Sequence, residues 1–445
     1  MRVLFVTPAV NSHLNNLVPI AWALRTAGHE VCVAGQPDIT EAIKNSGLTA
    51  VTVGDRMALP REIPDGPDSL DGPDTPDGRP GAPQEPSTPF GLGYDIAETR
   101  PDRLTLDHVR GTLAAYTSVV CEFMADRTML DDLVKFARAW KPDLVVWDAH
   151  TYTGPVLARA VGAAHIRVLP APDHWARMRA LHRELAADDP TAGTAADDDP
   201  LAGYLAAKLE PWGGEFGDDM VTGQATVDPL PSWLGVPLDV DRLSVRHVPY
   251  NGPTVIPAWL RKEPKRPRVC LTLGQTRRSL GVHGRGGEDV SVATMLQEVA
   301  ALDVEVIATL SADQLPKGTR IPDNVRLFDF IPLNALLPSC SAIVHYGGMG
   351  AVAAAVVHGV PQLGIPGNIW GEAGVMRQLE AQGAGLRADA GTLVDGLTRL
   401  LDDPGFRQGA AQIQKDMLSR PSPRDIVPEI EAVVLEHQKS RGQAA

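Results

Sequence analysis

A chain of 445 residues, 44% hydrophobic and 22% charged, is too long for one hydrophobic core and suits two domains of soluble globular composition. Its 41 Lys+Arg against 55 Asp+Glu leave a net charge of -14, which argues against nucleic acid as the main ligand, because phosphate binding needs a basic face. No window approaches the ~18 consecutive apolar residues of a membrane span. The start, MRVLFVTPAV, lacks the basic region and cleavage site of a signal peptide, and four scattered cysteines (Cys32, Cys121, Cys270, Cys340) without a CxxC pair read as a reduced cytoplasmic protein.

In chain order, residues 2–7 (RVLFVT) predict a buried parallel strand. A polar turn over 8–12 leads into a helix ending at Ala27, with Leu17, Ile20, Ala21 and Leu24 at core-facing spacing and Gly28 as its stop. Pro19 is expected in the first turn of that helix, where its missing N–H costs little. A strand over 31–34, a helix to Gly47 and a strand over 48–53 complete a doubly wound α/β pattern. Residues 60–93 hold nine prolines between 60 and 89 and aspartates at 65, 68, 71, 74 and 77; no core can be built from them, so a mobile surface loop is expected. Helical pattern resumes near Leu104. A strand over 143–148 (DLVVWD), a helix over 154–161 and a strand over 165–169 follow, then a polar stretch, 187–200, in which Asp197, Asp198 and Asp199 read as solvated loop charge.

The proline-rich, poorly periodic stretch 227–267 is the best boundary, giving units 1–235 and 268–424 with a linker over 236–267. Beyond it, strands are expected over 268–273, 304–310, 325–328, 342–345 and 361–365. Helices are expected over 292–301, 349–358, 372–382, 393–401 and 425–438. Two α/β units in tandem imply a cleft where the carboxyl ends of both sheets meet.

Four sites carry candidate chemistry. His13 follows the first strand at a helix start, whose partial positive charge disfavours a further cation, and a neutral imidazole suits a general base; a capping or core histidine is the plainer alternative. Asp148 ends DLVVWD at the same sheet edge, where its carboxylate can hold the other ring nitrogen of His13 or cap the helix near Thr151. In the second unit, RVCLTL runs into Gly274, Gln275 and Thr276, and AIVHY runs into Gly347, Gly348, Met349 and Gly350. Glycines there let backbone N–H groups approach a diphosphate, and His345 can add a donor; tight turns alone would also explain them. None of the 12 histidines has HxxxH or cysteine partners at metal-ligand spacing, so no metal is expected.

The segments SHLNNLVPIAWALRTAGHEV, VRHVPYNGPTVIPAWL, PRVCLTLG, IPDNVRLFDFIPLNALLPSCSAIVHYGGMG and HGVPQLGIP, in this order, resemble the antibiotic macrolide and anthracycline glycosyltransferases of glycosyltransferase family 1. The resemblance covers nearly the whole chain. It implies a GT-B fold of two facing Rossmann-like domains, the first holding the acceptor and the second the donor, with the last helix (425–445) crossing back. It implies metal-independent transfer of a deoxysugar from a thymidine-diphosphate (TDP) donor to a polyketide hydroxyl with inversion, His13 being the base and Asp148 its partner. Relatives of this type often need a helper protein resembling an inactive cytochrome monooxygenase, and a homodimer is the other partner assembly to weigh.

The chain departs from the family pattern on the donor side. The usual His-His-Gly-Gly motif becomes His345-Tyr346-Gly347-Gly348, with Ala351 where Thr or Ser is usual. The acidic sugar contact of Asp-Gly-Trp-Asp-Thr-Gly is replaced by Glu372, and the segment after Gly385 is shorter than usual. A sugar-nucleotide epimerase of the same fold and a non-catalytic sugar-nucleotide-binding partner subunit are the rival functions.

Overall fold

The computed structural model describes residues 1–57, 93–188, 198–274, 292–310, 314–315, 318–367, 370–389 and 391–444. The expected surface loop 60–93 lies outside them except for Gly93, as do Asp197, Gln275 and Thr276.

Seven parallel strands form the first sheet: β1 (Arg2–Val6), β2 (Glu30–Gly35), β3 (Thr49–Thr52), β4 (Leu144–Asp148), β5 (Ala164–Val168), β6 (Thr226–Asp228) and β7 (Arg242–Ser244). Their order is β3-β2-β1-β4-β5-β6-β7. The second sheet holds β8 (Arg268–Thr272), β9 (Glu305–Thr309), β10 (Val325–Phe328), β11 (Ala342–His345), β12 (Gln362–Gly364) and β13 (Gly385–Arg387) in the order β10-β9-β8-β11-β12-β13. Helices cover both faces, which is why the central strands are apolar on both sides: Val3 to Val6 are fully buried, as are Leu144 to Asp148. These are two doubly wound domains of the GT-B type.

In each sheet the order reverses between two neighbours, β1 and β4 in the first and β8 and β11 in the second. At such a switch point the two following loops diverge to opposite faces and leave a crevice at the carboxyl ends of the strands. His13 follows β1 and Asp148 ends β4, while Gly274 and Gly347 follow β8 and β11. Both pairs of loops sit at switch points.

Three expectations need correction. Pro19 lies in the interior of the Asn11–Thr26 helix, not its first turn, so the carbonyl of Asn15 lacks its intrahelical donor. The first unit runs past residue 235, since β7 falls inside the stretch read as linker and pairs with β6. Asp199 is not solvated: it is buried, caps the Pro200–Leu209 helix by accepting from Leu201 and Ala202 N–H, and pairs with Arg179.

The C-terminal helix Val427–Ala444 packs on the first domain. Val427, Ile430 and Val434 enter the core beside β5, and His437 hydrogen-bonds Gln224 at 2.8 Å. Among the described residues no helix is long and apolar enough to cross a membrane.

Candidate active site

A cavity of about 280 Å³ opens between the two domains. Ser12, His13, Asn16 and His150 line one side, and Gly274, His345, Tyr346, Gly347 to Gly350 and Glu372 line the other.

On the first-domain side the chain leaves β1 through a tight turn (Val10 N–H to the Pro8 carbonyl, 2.7 Å) and enters the Asn11–Thr26 helix, so His13 stands in its first turn. Nδ1 of His13 lies 2.9 Å from Oδ2 of Asp148. The other carboxylate oxygen, Oδ1, accepts the backbone N–H of His150 at 2.9 Å. The helix that follows, Thr153–Val161, is capped at Tyr152 without a side-chain bond, so Asp148 serves His13 and not the helix. Burial alone would raise the Asp148 carboxyl, but the attraction and hydrogen bond of His13, with the contributions of His150, hold it below the usual carboxylate range. An ionised carboxylate only accepts. His13 Nδ1 is therefore the donor, and in the neutral ring Nε2 carries the lone pair.

His150 was not singled out in the sequence. Its ring centroid is 5.3 Å from that of His13, and burial pushes it down to about 4. The His150 ring also stacks on Trp370 of the second domain, with centroids 5.2 Å apart and planes at 20°. The signal that could have found it is the spacing, since an aspartate can accept the N–H two residues on; nothing local signals Trp370. Among the described residues, His13, Asp148 and His150 are the group whose ligand atoms could hold a metal ion, all lying within 4.8 Å of one another. An ion there would take both the shared proton and the lone pair a base needs.

On the second-domain side, β11 ends at His345 and the chain turns sharply. Gly347 has φ +84°, and a Cβ there would stand 3.0 Å from that of Glu372. Gly348 then caps the Met349–His358 helix. Space is open above Gly274, Gly348 and Gly350, where a Cβ would meet nothing within 4 Å. The first N–H groups of that helix have no intrahelical partners and carry its positive dipole end toward the cavity.

His345 does not fit the expectation of a free donor. Its Nε2–H donates to Gln362 Oε1 at 2.9 Å and its Nδ1 accepts Gly347 N–H at 2.8 Å. Both nitrogens are spent inside the protein, and burial holds the ring neutral, at about 4. It supports the glycine turn from below. Tyr346 lines the cavity, packed against the second-domain core. Glu372 begins the Glu372–Ala381 helix and accepts Trp370 N–H at 2.8 Å.

Residues 22–68 and 83–274 match the family described as Erythromycin biosynthesis protein CIII-like, N-terminal domain, and residues 293–433 match its C-terminal domain. The chain belongs to this family. It is a glycosyltransferase of the group that handles antibiotic deoxysugars, and it shares 42% identity over 99% of its length, and 98% of the relative's, with the aclacinomycin-T 2-deoxy-L-fucose transferase of Streptomyces galilaeus. The 10-deoxymethynolide desosaminyltransferase of Streptomyces venezuelae is 38% identical over the whole of both chains. Among solved structures, the glycosyltransferase VinC in complex with dTDP superposes with a TM-score of 0.83 at 42% identity, covering 98% of this chain and all of that one. Spinosyn forosaminyltransferase SpnP gives 0.77 at 40% identity, covering 98% and 99%.

Proposed function

We propose that this glycosyltransferase moves a deoxysugar from a TDP donor to a hydroxyl of a polyketide aglycone, with inversion at the anomeric carbon and without a metal. The observation that carries this reading is the His13–Asp148 pair at one switch point facing the open glycine turn at the other, across a single cavity. The relatives named above support the substrates: one is named for aclacinomycin T, one for 10-deoxymethynolide, and VinC was solved with dTDP.

In this reading His13 Nε2 takes the acceptor proton while the hydroxyl oxygen attacks the anomeric carbon. Asp148 fixes the tautomer and stabilises the imidazolium that forms. The departing diphosphate is met by backbone N–H groups of Gly348 to Gly350, the Gly347 N–H being held by His345, and, as the resemblance implies, by Gly274, Gln275 and Thr276. His345 holds the glycine turn in shape, Tyr346 offers a neutral hydroxyl beside it, and Glu372 receives a sugar hydroxyl. The cytochrome-like helper and a homodimer carry over from the resemblance, and the free cysteines suit a reducing cytoplasm.

A mass-spectrometric screen of TDP-deoxysugars against polyketide aglycones tests the reading. A glycosylated aglycone with release of TDP supports it. Isomerised sugar formed without acceptor would make the chain an epimerase, and TDP binding without turnover of any pair would make it a binding subunit.

A further inference from the structure

Trp370 leaves its own domain. Its indole packs against the first-domain core cluster and lies flat on the His150 ring at 5.2 Å. The next residue, Gly371, has φ +76°, and a Cβ there would fall 2.6 Å from the Ala97 Cβ and 3.0 Å from His174 Nε2. The backbone of the donor domain is thus seated directly on the acceptor domain, with no room for a side chain. Glu372 follows, and its carboxylate is tied back to Trp370 N–H. One short turn therefore touches both halves of the site.

We propose that the turn Trp370-Gly371-Glu372 is an interdomain clasp, in which Trp370 is a positioning residue that aligns the His13–Asp148 pair through His150. The chain of contacts is continuous. Trp370 presses on the His150 ring, His150 N–H holds Oδ1 of Asp148, and Oδ2 of Asp148 holds His13. Seating the sugar against Glu372 seats the same turn that fixes His150, so the base is in register only when the donor side is closed. Closure that completes a catalytic constellation is a common use of a mobile interface, and displacement of a base by about 1 Å costs on the order of 10²-fold in rate. A tryptophan that merely filled space in its own domain would have no reason to stack on the neighbour of the catalytic carboxylate.

The inference rests on the proposed transfer for its kinetic test, but not for its structural one. Trp370→Ala is expected to lower kcat about 10–100-fold while TDP affinity, by calorimetry, stays within twofold. Trp370→Phe, which keeps a ring on His150, is expected to recover most of the loss. In histidine-labelled protein the His150 ring protons, shifted upfield by the indole, should move to ordinary positions in Trp370→Ala and much less in Trp370→Phe. Unchanged kcat and unchanged His150 resonances in Trp370→Ala would overturn the clasp. An equal loss in both variants, together with lost TDP binding, would also overturn it, since the turn would then only support the donor domain. If the unmodified enzyme turned over no TDP-sugar pair, the proposed function would fail, and the His150 resonances would still decide the clasp.

Discussion

His13 and Asp148, 135 residues apart in the chain, meet at 2.9 Å because β1 and β4 are neighbours at the point where the first sheet reverses its order. The contact is buried, Asp148 completely, and His13 lines the cavity with Nε2 as the ring nitrogen that the carboxylate does not use.

Acid should destabilise the fold before the lowered carboxyl of Asp148 titrates. His150, His174, His247 and His345 are each pushed down to about 4 by burial. The unfolded chain protonates them near 6.5, the folded one only near 4. Each therefore leaves stability intact above pH 6.5 and removes about 1.4 kcal/mol per pH unit between 6.5 and 4. The lowered Asp148 carboxyl acts below that window. Scanning calorimetry should show the melting temperature level from pH 8 to 7 and falling steeply toward pH 5; a level profile across that range would refute the burial of these rings.

Gly347→Ala should damage both stability and donor binding. The positive φ alone costs an L-residue about 1–2 kcal/mol, and the new Cβ would stand 3.0 Å from Glu372 Cβ and 3.4 Å from Met376 Cγ. A lower melting temperature with roughly tenfold weaker TDP binding is expected. Unchanged binding would show that the turn does not shape the donor site.

Tyr346→His should tighten TDP binding several-fold at pH 6, where the new imidazole is partly charged, and little at pH 8, since a charge-assisted hydrogen bond outweighs a neutral one by about 1 kcal/mol. His345→Ala should instead lower the melting temperature, because Gly347 N–H and Gln362 both lose their partner. Titrations at the two pH values decide it; equal gains at both would place Tyr346 away from the phosphates.

Chelation should leave turnover untouched. Zinc or copper should inhibit, because His13, Asp148 and His150 can be drawn onto an ion only by surrendering the base. Activity lost in EDTA and restored by magnesium would contradict the metal-free reading.

The strands around both switch points were legible because buried parallel strands are uninterrupted apolar runs, as in RVLFVT and DLVVWD. His13 and Asp148 were legible for the same reason, as polar residues where those runs stop. The three-residue strands β6 and β7 were not, being too short for periodicity, and neither was the helix His174–Asp188. Alternation places His345 and Tyr346 on opposite faces but does not reveal that the His345 ring bonds Gln362, seventeen residues on. Trp370 reaches His150 only because the domains dock, and no local pattern encodes that contact.

The pair itself is tested most directly by Asp148→Asn, assayed for turnover beside TDP titration. The amide can keep its oxygen on His150 N–H, which turns its NH₂ toward His13 Nδ1 and forces the ring proton onto Nε2, where the lone pair is needed. The account predicts a fall in kcat on the order of 10²–10⁴-fold, matched by His13→Ala, with TDP affinity unchanged. Near-normal turnover in either variant would remove the His13–Asp148 pair from the mechanism.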